Sequence, residues 1–125
     1  MITEDYVSFE TAKLLKEKGF DEECQQYYGD YKYPCPTLQM AMKWLREVHN
    51  IDVVIDVVVG MLGVKVYFPL ISTYKPLKDS TSKVRQIKRG IYYKDDNGVI
   101  PASQHFDFYE EACEEAIKYC LENLV

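Results

Sequence analysis

The side chains able to do chemistry in this 125-residue chain are few and widely spaced. Cysteines stand at Cys24, Cys35, Cys113 and Cys120 without a C-x-x-C pair. Zinc sites are usually built on closer ligand pairs, so these residues read as small apolar core positions rather than a metal centre. Cys113 and Cys120 lie seven apart, on one helical face. His49 and His105 give no H-E-x-x-H or H-x-x-H spacing, and a helix-end histidine such as His49 reads as a dipole-stabilised surface residue. A nucleophile built from Cys35 or Ser103 with His105 has no G-x-S-x-G elbow or comparable signature to support it. Asp52 and Asp56 share a strand face, which reads as that strand's solvated side rather than a carboxylate pair for acid and base work. Gly60-Met61-Leu62-Gly63 lacks the third glycine and the Lys-Ser pair of a phosphate loop, and is a turn. The expectation is a protein that is not an enzyme, with no catalytic residue, metal or cofactor.

One constellation suits a ligand: Lys83-Val-Arg85-Gln-Ile-Lys88-Arg89-Gly-Ile-Tyr92-Tyr93-Lys94. In a strand without a bulge, Lys83, Arg85 and Tyr93 share a face, so cations and an aromatic ring can meet a phosphate backbone and a base together. Lys83, Arg85, Lys88, Arg89, Tyr92 and Tyr93 are therefore the candidate binding residues. The opposing consideration is charge. The chain carries 15 Lys and Arg against 20 Asp and Glu, a net −5, which disfavours a polyanionic partner. The strip itself is followed by an acidic segment, and hairpins also carry Lys and Arg to stay soluble and to block edge pairing. A second candidate surface is aromatic: Trp44, Tyr67, Tyr92 and Tyr93, if exposed together, form an interface hot spot.

The elements that must position these residues are legible from period and punctuation. A first helix is capped by Ser8, with Val7 and Ala12 as hydrophobic staple, Phe9, Ala12 and Leu15 as its apolar face, and Gly19 as its end. Residues 21–36 read as a tyrosine-rich excursion broken by Gly29, Asp30, Pro34 and Pro36, its tyrosines packing over the edge of the core. A second helix runs from the cap Thr37 to His49, with Leu38, Ala41, Leu45 and Val48 as its stripe, Met42 and Trp44 widening it, and Asn50 as its stop. The β-branched run Ile51 to Val59 is a strand, paired antiparallel through a turn at 60–63 with Val64 to Leu70, where Pro69 sits near the end or on an edge. A second hairpin joins Val84–Tyr93 and Val99–Phe108 across Asp95-Asp96-Asn97-Gly98. The last helix opens at Asp107, with Glu110 completing a capping box, runs to about Asn123, and has Tyr109, Ala112, Cys113, Ala116, Ile117, Cys120, Leu121 and Leu124 as its buried stripe.

This order, α-α-β-β-β-β-α, lacks strand-helix-strand alternation and predicts an α+β fold: a largely antiparallel sheet of three to four strands, made of two hairpins and covered by three helices. With 47% hydrophobic and 14% aromatic residues the chain has apolar surface enough for one core, and 125 residues is the length of one domain. The opening Met-Ile-Thr-Glu-Asp-Tyr has no signal-peptide pattern and the longest aliphatic run is far short of a membrane span, so the expected location is cytoplasmic with no membrane contact.

Three strings carry a resemblance: Tyr6-Val-Ser-Phe-Glu-Thr-Ala-Lys-Leu-Leu-Lys-Glu-Lys-Gly-Phe-Asp, Pro36-Thr-Leu-Gln-Met-Ala-Met-Lys-Trp-Leu-Arg-Glu-Val-His-Asn, and Phe108-Tyr-Glu-Glu-Ala-Cys-Glu-Glu-Ala-Ile-Lys-Tyr-Cys-Leu-Glu-Asn-Leu. They cover 48 of the 125 positions and make up the three helices. They resemble small uncharacterised phage-related proteins of gut-dwelling anaerobic bacteria. The resemblance implies a prophage or mobile-element setting and a binding or accessory role, and it brings no activity and no catalytic residue. The expected partner is a protein or a second copy of the chain, with nucleic acid, through residues 83–94, as the alternative.

Overall fold

The structure is a computed structural model and describes residues 2–75, 85–89 and 105–125. Helix α1 spans Phe9–Glu17. Ser8 caps it: its hydroxyl oxygen accepts from the Thr11 N–H, and Val7 and Ala12 are both buried as a staple. The exit is a Schellman turn. Gly19, at φ 99°, donates its N–H to the Lys16 carbonyl, and the Phe20 N–H reaches back to Leu15, whose side chain packs in the same cluster as Phe20. Phe9 departs from the expected stripe and is about half exposed. Its ring meets the edges of Tyr28 and Tyr33 at 5.3 and 5.6 Å, while Thr11 takes a fully buried position instead.

The segment expected as an irregular excursion holds a small antiparallel hairpin, β1 (Gln26–Tyr28) and β2 (Tyr33–Cys35). Three successive positive φ values, at Gly29, Asp30 and Tyr31, turn the chain back between them. Tyr28 donates its hydroxyl to the Val7 carbonyl at 3.1 Å, and Tyr28 and Tyr33 pack against the core, whereas Tyr31 stands in solvent at the loop. Helix α2 follows as Leu38–His49, with the Thr37 hydroxyl accepting from the Met40 N–H and Asn50 closing it in the left-handed conformation. Leu38, Ala41, Met42, Trp44 and Leu45 are buried, but Val48 is exposed and is not part of the stripe.

The main sheet has the order β3–β4–β5, all antiparallel: β3 is Ile51–Val59, β4 is Lys65–Lys75 and β5 is Arg85–Arg89. The register pairs Val53 with Ile71, Ile55 with Pro69 and Val57 with Tyr67. One face therefore carries Ile51, Val53, Ile55, Pro69 and Ile71, and it packs on α2 and on α3 (Tyr109–Asn123). Pro69 sits inside β4 rather than at its end. Tyr67 exchanges both backbone hydrogen bonds with Phe106, so it faces away from β3, and Pro69, two residues on, has its missing donor on the same outer side. The proline thus falls between the Phe106 bridge and the β5 ladder, which begins at Ser72, and no β3 hydrogen bond is lost.

That Phe106 bridge is what the described residues contain of the strand expected at 99–108. The turn at 95–98 and the rest of the second hairpin lie outside them. The bridge also corrects the start of α3: Asp107 does not cap it. Pairing with Tyr67 holds the chain extended through residue 106, Phe108 is the N-cap at φ −126° and ψ 142° with no side-chain hydrogen bond, and the helix begins at Tyr109. Glu110 and Glu111 in its first turn suit the helix dipole instead. Ala112, Cys113, Ala116, Ile117, Cys120 and Leu121 form its buried face, while Tyr109, 36% exposed in the first turn, and the half-buried Leu124 at the C-cap fall outside it because the cover of the helix gives out at both ends.

Burial pushes the Cys113 thiol up to about 11 and the Cys120 thiol up to about 12. The unfolded chain loses these protons near pH 9 while the folded chain keeps them, so each thiol withdraws stability as pH rises between its unfolded and folded values. The expected slope is up to about 1.4 kcal/mol per pH unit for a fully buried thiol. Urea midpoints measured from pH 8 to 11 should fall steadily, and less steeply in Cys120→Ala. Equal slopes in the two proteins would remove the thiol as the cause.

Candidate functional site

Helix cover stops part-way along β3. Up to Ile55 the strand is packed, and the Tyr67–Tyr109 edge contact at 6.1 Å marks the end of helix contact on that face. Beyond it Val57 is 49% exposed on the helix side, Val58 45% on the other face and Val59 60%. The hairpin then turns through Met61 and Leu62, both essentially fully exposed, and returns through the exposed Val64. Its turn is rigid in type: Gly63 takes φ 76°, its N–H bonds the Gly60 carbonyl at 3.0 Å, and the Gly60 N–H bonds Val64 at 2.8 Å, a three-residue loop with a left-handed residue at its third position. The result is an apolar two-stranded arm. On the face away from the helices it is continued by the exposed Val54 and the half-buried Val66, Phe68 and Leu70.

The outer edge of β3 belongs to the same surface. Because Tyr67 turns its backbone groups to Phe106, its partner Val57 must point its own N–H and C=O away from β4. The Val57 N–H meets its neighbour's side chain, Asp56 Oδ1, at 3.0 Å. Among the described residues no strand pairs with this edge. Free edges are normally short, charged or covered. Here residues 53–59 hold six valines and isoleucines, one acid at 56 and no base.

The candidate residues read from sequence are placed unevenly. Arg85, Lys88 and Arg89 lie on β5, opposite Lys75, Thr73 and Ser72 of β4; Lys83, Tyr92 and Tyr93 lie outside the described residues. The β4–β5 ladder has a register shift at Thr73/Tyr74 and passes over Ile87, and the face expected to join Lys83, Arg85 and Tyr93 lies outside the described residues. Trp44 is core: 7% exposed, edge-on to Phe20 at 5.5 Å and to His49 at 4.7 Å, it cannot join Tyr67 in an exposed aromatic patch.

Two concave sites stand near the titratable groups. One, of about 590 Å³, lies between residues 5–8 and α3 and is strongly acidic, with Asp5, Glu110, Glu111, Glu114 and Glu115 in its wall. Among the described residues its lining holds neither Lys, Arg, His nor Cys. Its innermost carboxylate serves the fold, since Glu114 Oε1 accepts from the Ser8 N–H at 2.9 Å and from the buried Thr11 hydroxyl at 2.8 Å. The other, of about 660 Å³, is lined by Cys24 and Cys35. Burial pushes both thiols upward, and the Cys35 thiol donates to the Val7 carbonyl at 3.4 Å, so neither is an activated thiolate. His105 is exposed beside Phe68. Among the described residues no group of three or more His, Cys, Asp and Glu is arranged to hold a metal, and no helix is long and apolar enough to cross a membrane.

Comparison with family models, curated proteins and solved structures returned no match. The functional reading rests on the arm. Sequence reasoning finds both strands but not the exposure of their far ends; the signal that points to it is Met61-Leu62 at a turn, where polar residues are the rule.

Proposed function

We propose that this chain is a non-catalytic protein-binding module, of the accessory kind a phage-like element encodes, and that it acts through the β3–β4 arm. The observation that carries the reading is the exposure of Val57, Val58, Val59, Met61, Leu62 and Val64 on one projecting hairpin. Contiguous exposed apolar surface of more than a few hundred Å² is uncommon on soluble monomers and marks contact sites. A fully exposed aliphatic side chain offers about 60–120 Å² at 25 cal/mol/Å², so these six alone present several hundred. The reading also accounts for the scattered titratable groups, which the fold uses for packing and capping.

A photo-crosslinking amino acid placed at Leu62 in the expressing cell tests it, with adducts identified by mass spectrometry. The expected product is a discrete protein adduct, a second copy included, that vanishes when the crosslinker is moved to the exposed position Glu23, outside the arm. Absence of any protein adduct, or adducts to nucleic acid alone, would overturn the reading.

A further inference from the structure

We infer that the partner of the arm is a second copy of this chain, joined edge to edge through β3 in an antiparallel pairing centred on Val57. This rests on the reading of the chain as a protein-binding module. The backbone supplies the first argument. Residues 53, 55, 57 and 59 turn their N–H and C=O groups to the open edge, and two such edges related by a two-fold axis satisfy each other residue for residue.

Only certain registers are allowed, because outward-facing residues must pair with outward-facing residues. Centring the axis on Asp56 sets two carboxylates directly opposite one another, which is destabilising. Centring it on Ile55 drives the partner's tip past Ile51 into Asn50 and His49 at the end of α2. Centring it on Val59 leaves little more than the tip to pair. With Val57 on the axis, Ile55 faces the partner's Val59, and Asp56 lies opposite Val58 rather than another acid. From Val57 onward the arm projects beyond the helices, and at Val53 and Ile55 the helices cover a face of the strand rather than its edge, which stays open among the described residues.

Val54, Val57, Val58, Val59, Met61, Leu62 and Val64 are each 45% or more exposed. At about 60–120 Å² per aliphatic side chain they present roughly 300–600 Å² per copy, divided between the two faces of the arm. Pairing through the edge buries the flanks of these side chains and not their whole faces, so the contact is smaller than the ~800 Å² per partner of a standard interface and the dimer is a weak one. The edge is also guarded: the Asp56 carboxylate holds the Val57 N–H in the single copy, and pairing must displace it. The dimer is accordingly reversible, and Asp56→Thr tightens it by about tenfold or more.

Sedimentation velocity on the full chain and a crosslinking series test this together. The expected result is a concentration-dependent monomer–dimer equilibrium, weakened at least tenfold by Val57→Lys with the thermal midpoint nearly unchanged. In a Cys24→Ser background with oxidised glutathione as oxidant, Val57→Cys gives a covalent dimer, its α-carbons being about 5.5 Å apart across the axis. Val59→Cys and Ile55→Cys do not, since each lies about 13 Å from its own copy in this register. A strictly monomeric protein, or crosslinking through residue 55 or 59 and not 57, would overturn the inference. If the protein is monomeric yet the Leu62 crosslinker still captures a different protein, the dimer is wrong and the binding-module reading stands. If it captures nothing and the arm instead binds phosphatidylglycerol vesicles, both fall.

Discussion

Trp44→Ala is expected to lower the stability of the folded chain by about 3–5 kcal/mol, the range for truncating a buried aromatic side chain. Trp44 is 7% exposed and lies between Phe20, at the end of α1, and His49, at the end of α2, with both rings edge-on to the indole. Its removal therefore opens a cavity where two helix ends and the start of β3 meet, a place that cannot collapse without moving the helices. For a chain of this length the thermal midpoint should drop by roughly 10–25 °C. Since Trp44 is the sole tryptophan, circular dichroism rather than intrinsic fluorescence is the probe. The association behaviour of the folded fraction should match that of the wild type. A loss under about 1 kcal/mol, or a change in assembly with stability intact, would place the residue at an interface instead.

Glu114→Ala should cost about 2–3 kcal/mol through a different mechanism. Ser8 opens α1, but the residue three on is Thr11, not the glutamate of a capping box. The missing acceptor comes from α3: Glu114 Oε1 takes the Ser8 N–H, and a relay runs from the Ser8 hydroxyl to Thr11 Oγ1 and from the Thr11 hydroxyl to Glu114. Thr11 is fully buried, so deletion of the carboxylate strands its donor at about 1–3 kcal/mol, and the N-cap N–H loses its acceptor as well. One term offsets this: Glu114 Oε2 is buried with no hydrogen-bond partner, and its removal relieves a desolvation cost. Glu114→Gln keeps an acceptor oxygen and should lose about half as much. Urea denaturation of Glu114→Ala, Thr11→Val and the double variant would settle the coupling. Additivity within about 0.5 kcal/mol would mean that the relay contributes nothing of its own.

Local signals carried most of the helical layer. Ser8 and Thr37 as caps, Gly19 and Asn50 as stops, and the seven-residue spacing of Cys113 and Cys120 each correspond to a feature that one or two turns of helix impose by themselves. The α+β class and the antiparallel pairing of 51–59 with the next strand followed from the change of period at Ile51. What was not legible was set by distant parts of the chain. Asp107 has cap chemistry, yet a backbone bridge to Tyr67, 39 positions before Phe106, keeps the preceding residues extended and moves the helix start. Phe9 and Val48 have the right period for burial, but which sector of a helix is covered depends on where its neighbours end. The candidate site was the least legible element for the same reason. Composition says that Val57 to Val59 suit a strand; it does not say that helix cover gives out at Tyr109's ring.

The carboxylate that completes the first helix lies 103 residues beyond the threonine it binds. During synthesis that separation becomes an interval of time. At about 5–20 residues per second, some 5–20 s pass between the emergence of Thr11 and that of Glu114. Through that interval α1 has its local serine cap and its Schellman turn, but neither the outside acceptor for its first N–H nor the helix it packs on. Nine residues are too few to hold a helix unaided in water. Helix α1 is therefore completed only once α3 has been made, and the fold closes by joining elements far apart in the chain.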